Sequence, residues 1–540
     1  MIGLRASRSG RIGWLTLPLL IALSPWTAGS ATRPAFADVS ERLGQVPGTA
    51  TTQPSSKPSN SSEPRSPVGP GITWFDADGD GWEDLIRSGA HEGGVSILRN
   101  NGTGAFVQWI QSSLAGTEDE YIATLGWEGD SPSRRWLAGT AHRRITSPQP
   151  TRNHIWLLQN PMERGAVHPL QVLPQATNVA GPMAMADIDL DGHLDLFIGG
   201  GARSTKNSAA SPARLFRGTT NGFTIDPDND LRLARVERVS GATFADLNAD
   251  GRPDLALAVE SGSIRVFLNE HGRLMDTTSA WGLDKTPGEW TSIATGDFNS
   301  DGSLDLVVGG RKPPGGGIGT ESSVFLNRQG QLHRIPLPGE AQSSTAFGLV
   351  VADLDGDGVT DLFLAPVSAD TTATAPAGPL NATAGLALLG LGAGKFQALT
   401  AEASGICFRG EPRGAAASDF DADGKVDLAV AYASGATGLF NNLTGQSGLR
   451  VFLRINRPER WAVGAVARAI YATGEIGPAW EVRVGGGYYS QDSPILLLGK
   501  RSQLASLWVR WPGGHVTIVK VPPQARDLQV DPLGVVKVLR

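Results

Sequence analysis

Asp353-Leu-Asp355-Gly-Asp357-Gly358-Val-Thr-Asp361-Leu-Phe-Leu decides how this 540-residue chain is read. Carboxylates stand at positions 1, 3, 5 and 9. The glycine at position 6 permits the sharp turn that lets them converge. The pattern recurs five times: at Asp76, Asp78, Asp80 and Asp84; at Asp187, Asp189, Asp191 and Asp195; at Asp246, Asn248, Asp250 and Asp254; at Asp297, Asn299, Asp301 and Asp305; and at Asp419, Asp421, Asp423 and Asp427. Position 7 can add a main-chain carbonyl. A cage of hard oxygens suits Ca²⁺, so these side chains are the candidate metal ligands, for up to six ions.

An EF-hand begins in the same way but needs Glu at position 12 and a helix after it. Position 12 is Arg87, Ile198, Leu257, Val308, Leu364 or Val430. The loops lead into Leu196-Phe-Ile-Gly199, Leu306-Val-Val-Gly309 or Leu428-Ala-Val-Ala431, short apolar runs of strand type. These are metal loops between strands.

Successive loops start 59, 51, 56 and 66 residues apart from Asp187 onward, but 111 residues separate Asp76 from Asp187. A degenerate copy fills that gap: 123–130 and 137–139 align with 294–297 and 307–309, with one residue inserted. Its ligand positions are mostly lost, so no metal is expected there. Each unit also holds a strand such as Ile264-Arg-Val-Phe-Leu-Asn269 or Val324-Phe-Leu-Asn327, an Asn/Gly turn, and a strand opening on an aromatic or Leu, as in Leu274-Met-Asp-Thr-Thr278. Four short strands in 50–60 residues make a propeller blade, which buries its faces only against neighbours.

These motifs resemble the FG-GAP (VCBS-type) repeats of integrin α-subunit heads. The resemblance implies an all-β, seven-bladed β-propeller over 71–444. The seventh unit ends at Leu439-Phe-Asn-Asn442 without its last strand, and Phe36-Ala-Asp38-Val-Ser40 supplies a spare copy. Residues 32–44 are therefore expected to close the ring and remove an exposed edge.

Arg5, Arg8 and Arg11 precede an apolar stretch from Trp14 to Leu23 and then small residues, the pattern of a secretory leader over 1–31 with cleavage expected between Ala28 and Ala31. No later segment is long and apolar enough to span a bilayer. Residues 45–70, rich in Pro, Ser and Thr, read as a linker. The single cysteine, Cys407, forbids an intrachain disulfide and is expected to be a buried structural thiol. The formal net charge of −6 is dominated by the loops, and no basic run suggests nucleic acid.

From 445 the repeat gives way to alternating stretches such as Leu449–Ile455, Leu507–Trp511 and Val516–Val521, a small β-sandwich or barrel over 445–540. Asn456-Arg457, Gly464-Ala465, Gly485-Gly-Gly487-Tyr-Tyr-Ser490-Gln491 and Trp511-Pro512-Gly513-Gly514 resemble the ASPIC/UnbV domain. The combination is similar to the cartilage acidic protein one family, without the cysteine-rich module of its animal members. Residues 457–463 are longer than the family pattern and lack its first Gly.

Six equivalent loops argue for structural clips, since a catalytic site is usually unique. The eight histidines form no metalloprotease motif, no Gly-x-Ser-x-Gly occurs, and Tyr488, Tyr489, Trp508 and Trp511 alternate as core residues do. The expectation is a non-catalytic, secreted, periplasmic or surface calcium-binding recognition or adhesion protein, its ligand a protein or a cell-surface glycan. The alternatives are an extracellular polysaccharide-acting enzyme, marked by a unique pocket with two carboxylates outside the loops, and a structural envelope component.

Overall fold

A computed structural model describes residues 34–43, 70–88, 95–111, 119–129, 135–143, 154–159, 171–173, 180–201, 212–236, 238–313, 319–367, 384–458 and 460–540. The expected leader and nearly all of the Pro/Ser/Thr-rich linker lie outside them. The described strands form nine four-stranded sheets. Seven are antiparallel units in sequence order, with first strands Ile72–Phe75, Asp119–Glu128, Ala180–Ala186, Val239–Ala245, Trp290–Gly296, Thr345–Ala352 and Pro412–Ser418. Each of these strands touches the next, and Ile72–Phe75 touches Pro412–Ser418, so the sheets close into a seven-bladed propeller. A first strand is hemmed in on both faces: every residue of Thr345–Ala352 and of Pro412–Ser418 is buried.

The seventh blade is assembled from both parts of the chain. Phe36–Asp38 pairs antiparallel with Thr437–Asn442, Phe36 facing Asn442 as Leu274 faces Asn269 in the fourth blade. Phe36 is buried with Phe408 and Phe440.

The acidic loops connect the first and second strand of six blades. Their ninth-position Asp staples each loop to the third strand. Asp361 accepts the N–H groups of Leu354 at 2.7 Å and Gly390 at 2.7 Å, and Asp254 those of Leu247 at 3.0 Å and Asn269 at 2.8 Å. The asparagine ending the third strand then reaches the preceding blade. Asn269 Nδ2 donates to Ile188 O, Asn327 to Leu247 O, Asn442 to Leu354 O, and Asn100 of blade one to Phe420 O of blade seven, all at 2.7–2.8 Å.

The remaining two sheets form the C-terminal sandwich. One orders Leu496–Leu498, Leu449–Leu453, Asp527–Val530 and Val536–Val538; the other Trp480–Glu481, Val466–Tyr471, Leu504–Arg510 and Val516–Lys520. The sandwich is seated on the loop side of the propeller, and its 484–493 segment enters the axis. Val484 bridges to Met185, Gly487 to Ile293 and Gln491 to Thr73. Gln491 also exchanges side-chain hydrogen bonds with Gly126, at 3.0 Å each way, and Asp492 accepts Ala417 N–H at 2.8 Å. Tyr488 and Tyr489 are buried in this plug, Tyr488 packing 5.0 Å from Phe347. Among the described residues no helix is long and apolar enough to cross a membrane.

Two expectations are corrected. Cys407 is exposed: Ile406 and Phe408 are buried in the apolar cluster between the sixth and seventh blades, so alternation turns the thiol outward. In the degenerate second blade a β-bulge sets the register. The bulged residue lies six before the first loop ligand in blades four to six, at Ser240, Thr291 and Phe347, and at Ile122 in blade two. Glu128, not Asp130, therefore occupies the first-ligand place; Asp130 is outside the described residues.

Candidate metal centres

In four loops the structure brings three carboxylates together, with ligand oxygens all within 4.8 Å: Asp76, Asp78 and Asp84; Asp187, Asp189 and Asp195; Asp353, Asp355 and Asp357; Asp419, Asp421 and Asp427. The loops at 246 and 297 form no such trio among the described residues. There Asn248 and Asn299 donate to Asp250 and Asp301 at 3.1 and 2.8 Å. Asp80 lies outside its trio and pairs at 2.9 Å with Arg99, which also binds Asp78. Asp423 pairs with Lys425 at 2.7 Å. Asp191 donates its backbone N–H to Asp187 at 3.0 Å, and Asp361 acts as the staple described above.

The convergence is made by two left-handed residues per loop. Position 6 is always Gly, with φ from 78° to 96°, and its N–H donates to Oδ2 of the first Asp at 2.9–3.1 Å. Position 4 is also left-handed, at Leu190, Ala249, Ser300 and Ala422 as well as at Gly79 and Gly356. That feature had no sequence signal, because four of these residues carry side chains that resist the conformation.

The carboxylates are buried beside one another. Burial, the largest cause, pushes Asp84, Asp195 and Asp305 up to about 8 and Asp355 and Asp419 up to about 7; neighbouring carboxylates add to it and backbone N–H groups oppose it. Asp187 and Asp297 are raised to about 6, and Asp353, Asp361 and Asp427 well above the usual range. Asp353 Oδ1, Asp419 Oδ1 and Asp427 Oδ2 are buried without a hydrogen-bond partner. An unpartnered buried carboxylate oxygen is costly unless a cation completes it. The donor set is all oxygen, as a hard divalent cation requires.

Sequence reasoning missed what lies above the loops. Arg510 of the sandwich sits 2.8 Å from Asp246 Oδ2, Arg450 3.1 Å from Asp419 Oδ2 and Arg457 3.7 Å from Asp187 Oδ2. Ala479 donates its N–H to Asp297 Oδ2 at 2.9 Å. Gly499 packs so closely on Asp353 Oδ2 that a Cβ there would collide with it. At the degenerate blade Arg454, stacked 3.8 Å over Trp461, binds Glu128 at 2.6 Å. The sequence placed these cations on strands of a separate domain, with no hint of which surface they face.

Beneath the sandwich, on the axis, a cavity of about 90 Å³ is lined by Glu83, Arg450, Glu481, Arg483 and Asp492 among others. Glu481 is raised to about 7 by burial, with Arg483 opposing. The space holds roughly six waters.

A family model for the FG-GAP-like repeat matches residues 187–257 and 246–308, and one for ASPIC and UnbV matches 455–534. Cartilage acidic protein 1 of Xenopus tropicalis is 25% identical over 300 residues, 53% of this chain and 44% of that protein. The Mus musculus protein of the same name is 24% identical over 285 residues, 51% of this chain and 42% of its own length. The chain thus spans less than half the length of these curated relatives. The Vibrio cholerae biofilm matrix protein Bap1 aligns with 85% of this chain and 60% of its own, at 13% identity and a TM-score of 0.32. Residues 187–308 are thus similar to FG-GAP-like repeats and 455–534 to the ASPIC and UnbV family, and the chain has a distant similarity to cartilage acidic protein 1.

Proposed function

We propose that this is an exported, non-catalytic recognition protein whose propeller is held by up to six Ca²⁺, one in each acidic loop. Asp76, Asp78, Asp80 and Asp84 and their five counterparts supply the ligands. The observation that carries the reading is the set of buried, unpartnered oxygens on Asp353, Asp419 and Asp427, within or beside converged carboxylate trios. Bound Ca²⁺ would supply charge compensation and rigidity, holding each first-to-second strand connection in its doubly left-handed turn. The 1–31 segment would direct export, and the ligand would be a protein or a cell-surface glycan.

An enzyme reading rests on carboxylates outside the loops: Glu481 and Asp492 line the axial cavity, and Asp276 and Asp284 line an open cleft of about 740 Å³ beside the fourth blade. The axial cavity admits a few waters and is itself lined by Gly485, Gly486, Gly487 and Asp492 of the plug, which leaves no room for a sugar ring, and in the cleft Asp276 is paired with Arg265. The recognition reading is favoured for that reason.

The test is thermal unfolding of the exported chain after EDTA and through a Ca²⁺ titration, with bound metal counted. A large Ca²⁺-dependent rise in melting temperature at close to six equivalents supports the proposal. An unchanged melting temperature would sink it.

A further inference from the structure

We infer that seating of the ASPIC and UnbV domain and metal loading of the propeller loops are positively linked, each strengthening the other; this rests on the calcium reading above. Two opposite edges of one carboxylate carry the argument. At the first-position Asp of five loops, Oδ2 receives the loop glycine N–H and also faces the C-terminal domain: Arg457 at Asp187, Arg510 at Asp246, the Ala479 N–H at Asp297, Gly499 at Asp353 and Arg450 at Asp419. Oδ1 is turned into the loop, accepting the position-5 N–H at Asp187, Asp246 and Asp297, and on Asp353 and Asp419 it is buried without a partner. A cation on Oδ1 and the domain on Oδ2 therefore share the same side chain.

Charge alone would make them rivals, because a guanidinium and a divalent cation repel. Two features decide for cooperation. With three or four carboxylates, a loop holding one divalent cation is still anionic and still attracts an arginine. More decisive, the domain also grips main-chain carbonyls of the left-handed turns. Gly513 N–H donates to Gly251 O at 2.8 Å, Lys500 N–H to Gly356 O at 3.0 Å and Gly448 N–H to Gly424 O at 2.7 Å. Arg468 donates to Ser300 O at 3.1 Å and Arg540 to Ala422 O at 3.2 Å. These acceptors are residues of positions 4 and 6, the two left-handed residues that wind the loop around its centre. Stripping the metal leaves clustered carboxylates to push the turn open, and the acceptors leave with it.

The second blade docks the same domain at a unit whose sequence keeps few of the loop ligands. Glu128 holds the first-ligand place and its cation is Arg454, supplied by the domain. That pair anchors the domain away from the six acidic loops, so it offers a handle on docking that leaves all six untouched.

Hydrogen exchange is measured on the full chain with Ca²⁺ and with EDTA, alongside metal counting. The expected result is at least tenfold faster exchange of the Leu449–Leu453 and Asp527–Val530 strands in EDTA. In the reverse direction, Arg454→Met lowers the apparent Ca²⁺ affinity of the loops about fivefold, the lower end of ordinary coupling between sites. Uptake of Ca²⁺ with unchanged or slower exchange in EDTA overturns the linkage and leaves the calcium reading standing. No uptake overturns both. Should the variant not fold, the exchange experiment on the unaltered chain decides alone.

Discussion

Ala422 holds a left-handed backbone at φ 55° in the middle of the last acidic loop, where Gly79 and Gly356 hold the same place in two others. An alanine in that conformation costs about 1 kcal/mol relative to glycine. Ala422→Gly should therefore stabilise the metal-bound protein by up to about 1 kcal/mol, less the extra chain entropy of glycine, as read by urea unfolding. The carboxylates also predict a pH response. Asp84, Asp195 and Asp305 are raised to about 8 in the folded metal-free chain, against about 3.9 in an unfolded one. The folded state then binds more protons, so this contribution is fully present below about pH 4 and is lost as pH rises through about 8. Metal-free protein should be less stable at pH 8 than at pH 5, and its Ca²⁺ affinity should rise across that interval as bound protons are displaced. A flat unfolding curve in EDTA between those values would contradict this. At this scale the sequence was a good guide to carboxylate spacing and a poor one to partners. Asp353 is legible as an acidic side chain in a loop, but Gly499 lies far along the chain and nothing in the sequence brings them together.

Between residue and molecule stands the blade, and alongside the apolar clusters shared by neighbouring blades one side-chain amide recurs at the junctions. Asn327 Nδ2 donates to Leu247 O of the preceding blade at 2.7 Å and to Leu304 O at 3.1 Å, and the residue is buried. Asn327→Ala leaves those carbonyls unsatisfied and should cost about 1–3 kcal/mol, measured by chemical denaturation. The strand ending in Leu-Asn was visible in the sequence, because apolar alternation stops there. Its role was not, because the acceptor lies in the previous repeat. Phe36 makes a companion case. Its aromatic ring is buried in the seventh blade, so Phe36→Ala should lower stability by about 3–5 kcal/mol and leave Thr437–Asn442 as an ill-covered edge. The second blade failed the sequence alignment for a related reason. Its register is carried by a bulge at Ile122, which is a property of pairing and not of composition.

For the molecule as a whole, the repeat length foretold the architecture and the final strand foretold how the ring ends, since both are periodic signals along one chain. The placement of the C-terminal domain over the acidic loops, and of its Gly485–Gly487 turn in the axis, had no such signal. The closure between Phe36–Asp38 and Thr437–Asn442 has a consequence for synthesis. The first described strand to leave the ribosome is among the last to find its place, because its neighbour is made some four hundred residues later. Six blades can stack as they emerge, but the ring stays an open crescent until the seventh is complete, with the amino-terminal strand idle throughout. A chain released after 436 should therefore remain open, sticky at both edges and readily cleaved by protease. Extending it through 448 should convert it in one step to a resistant form. Ring closure is thus a late, all-at-once event that no partial chain can anticipate.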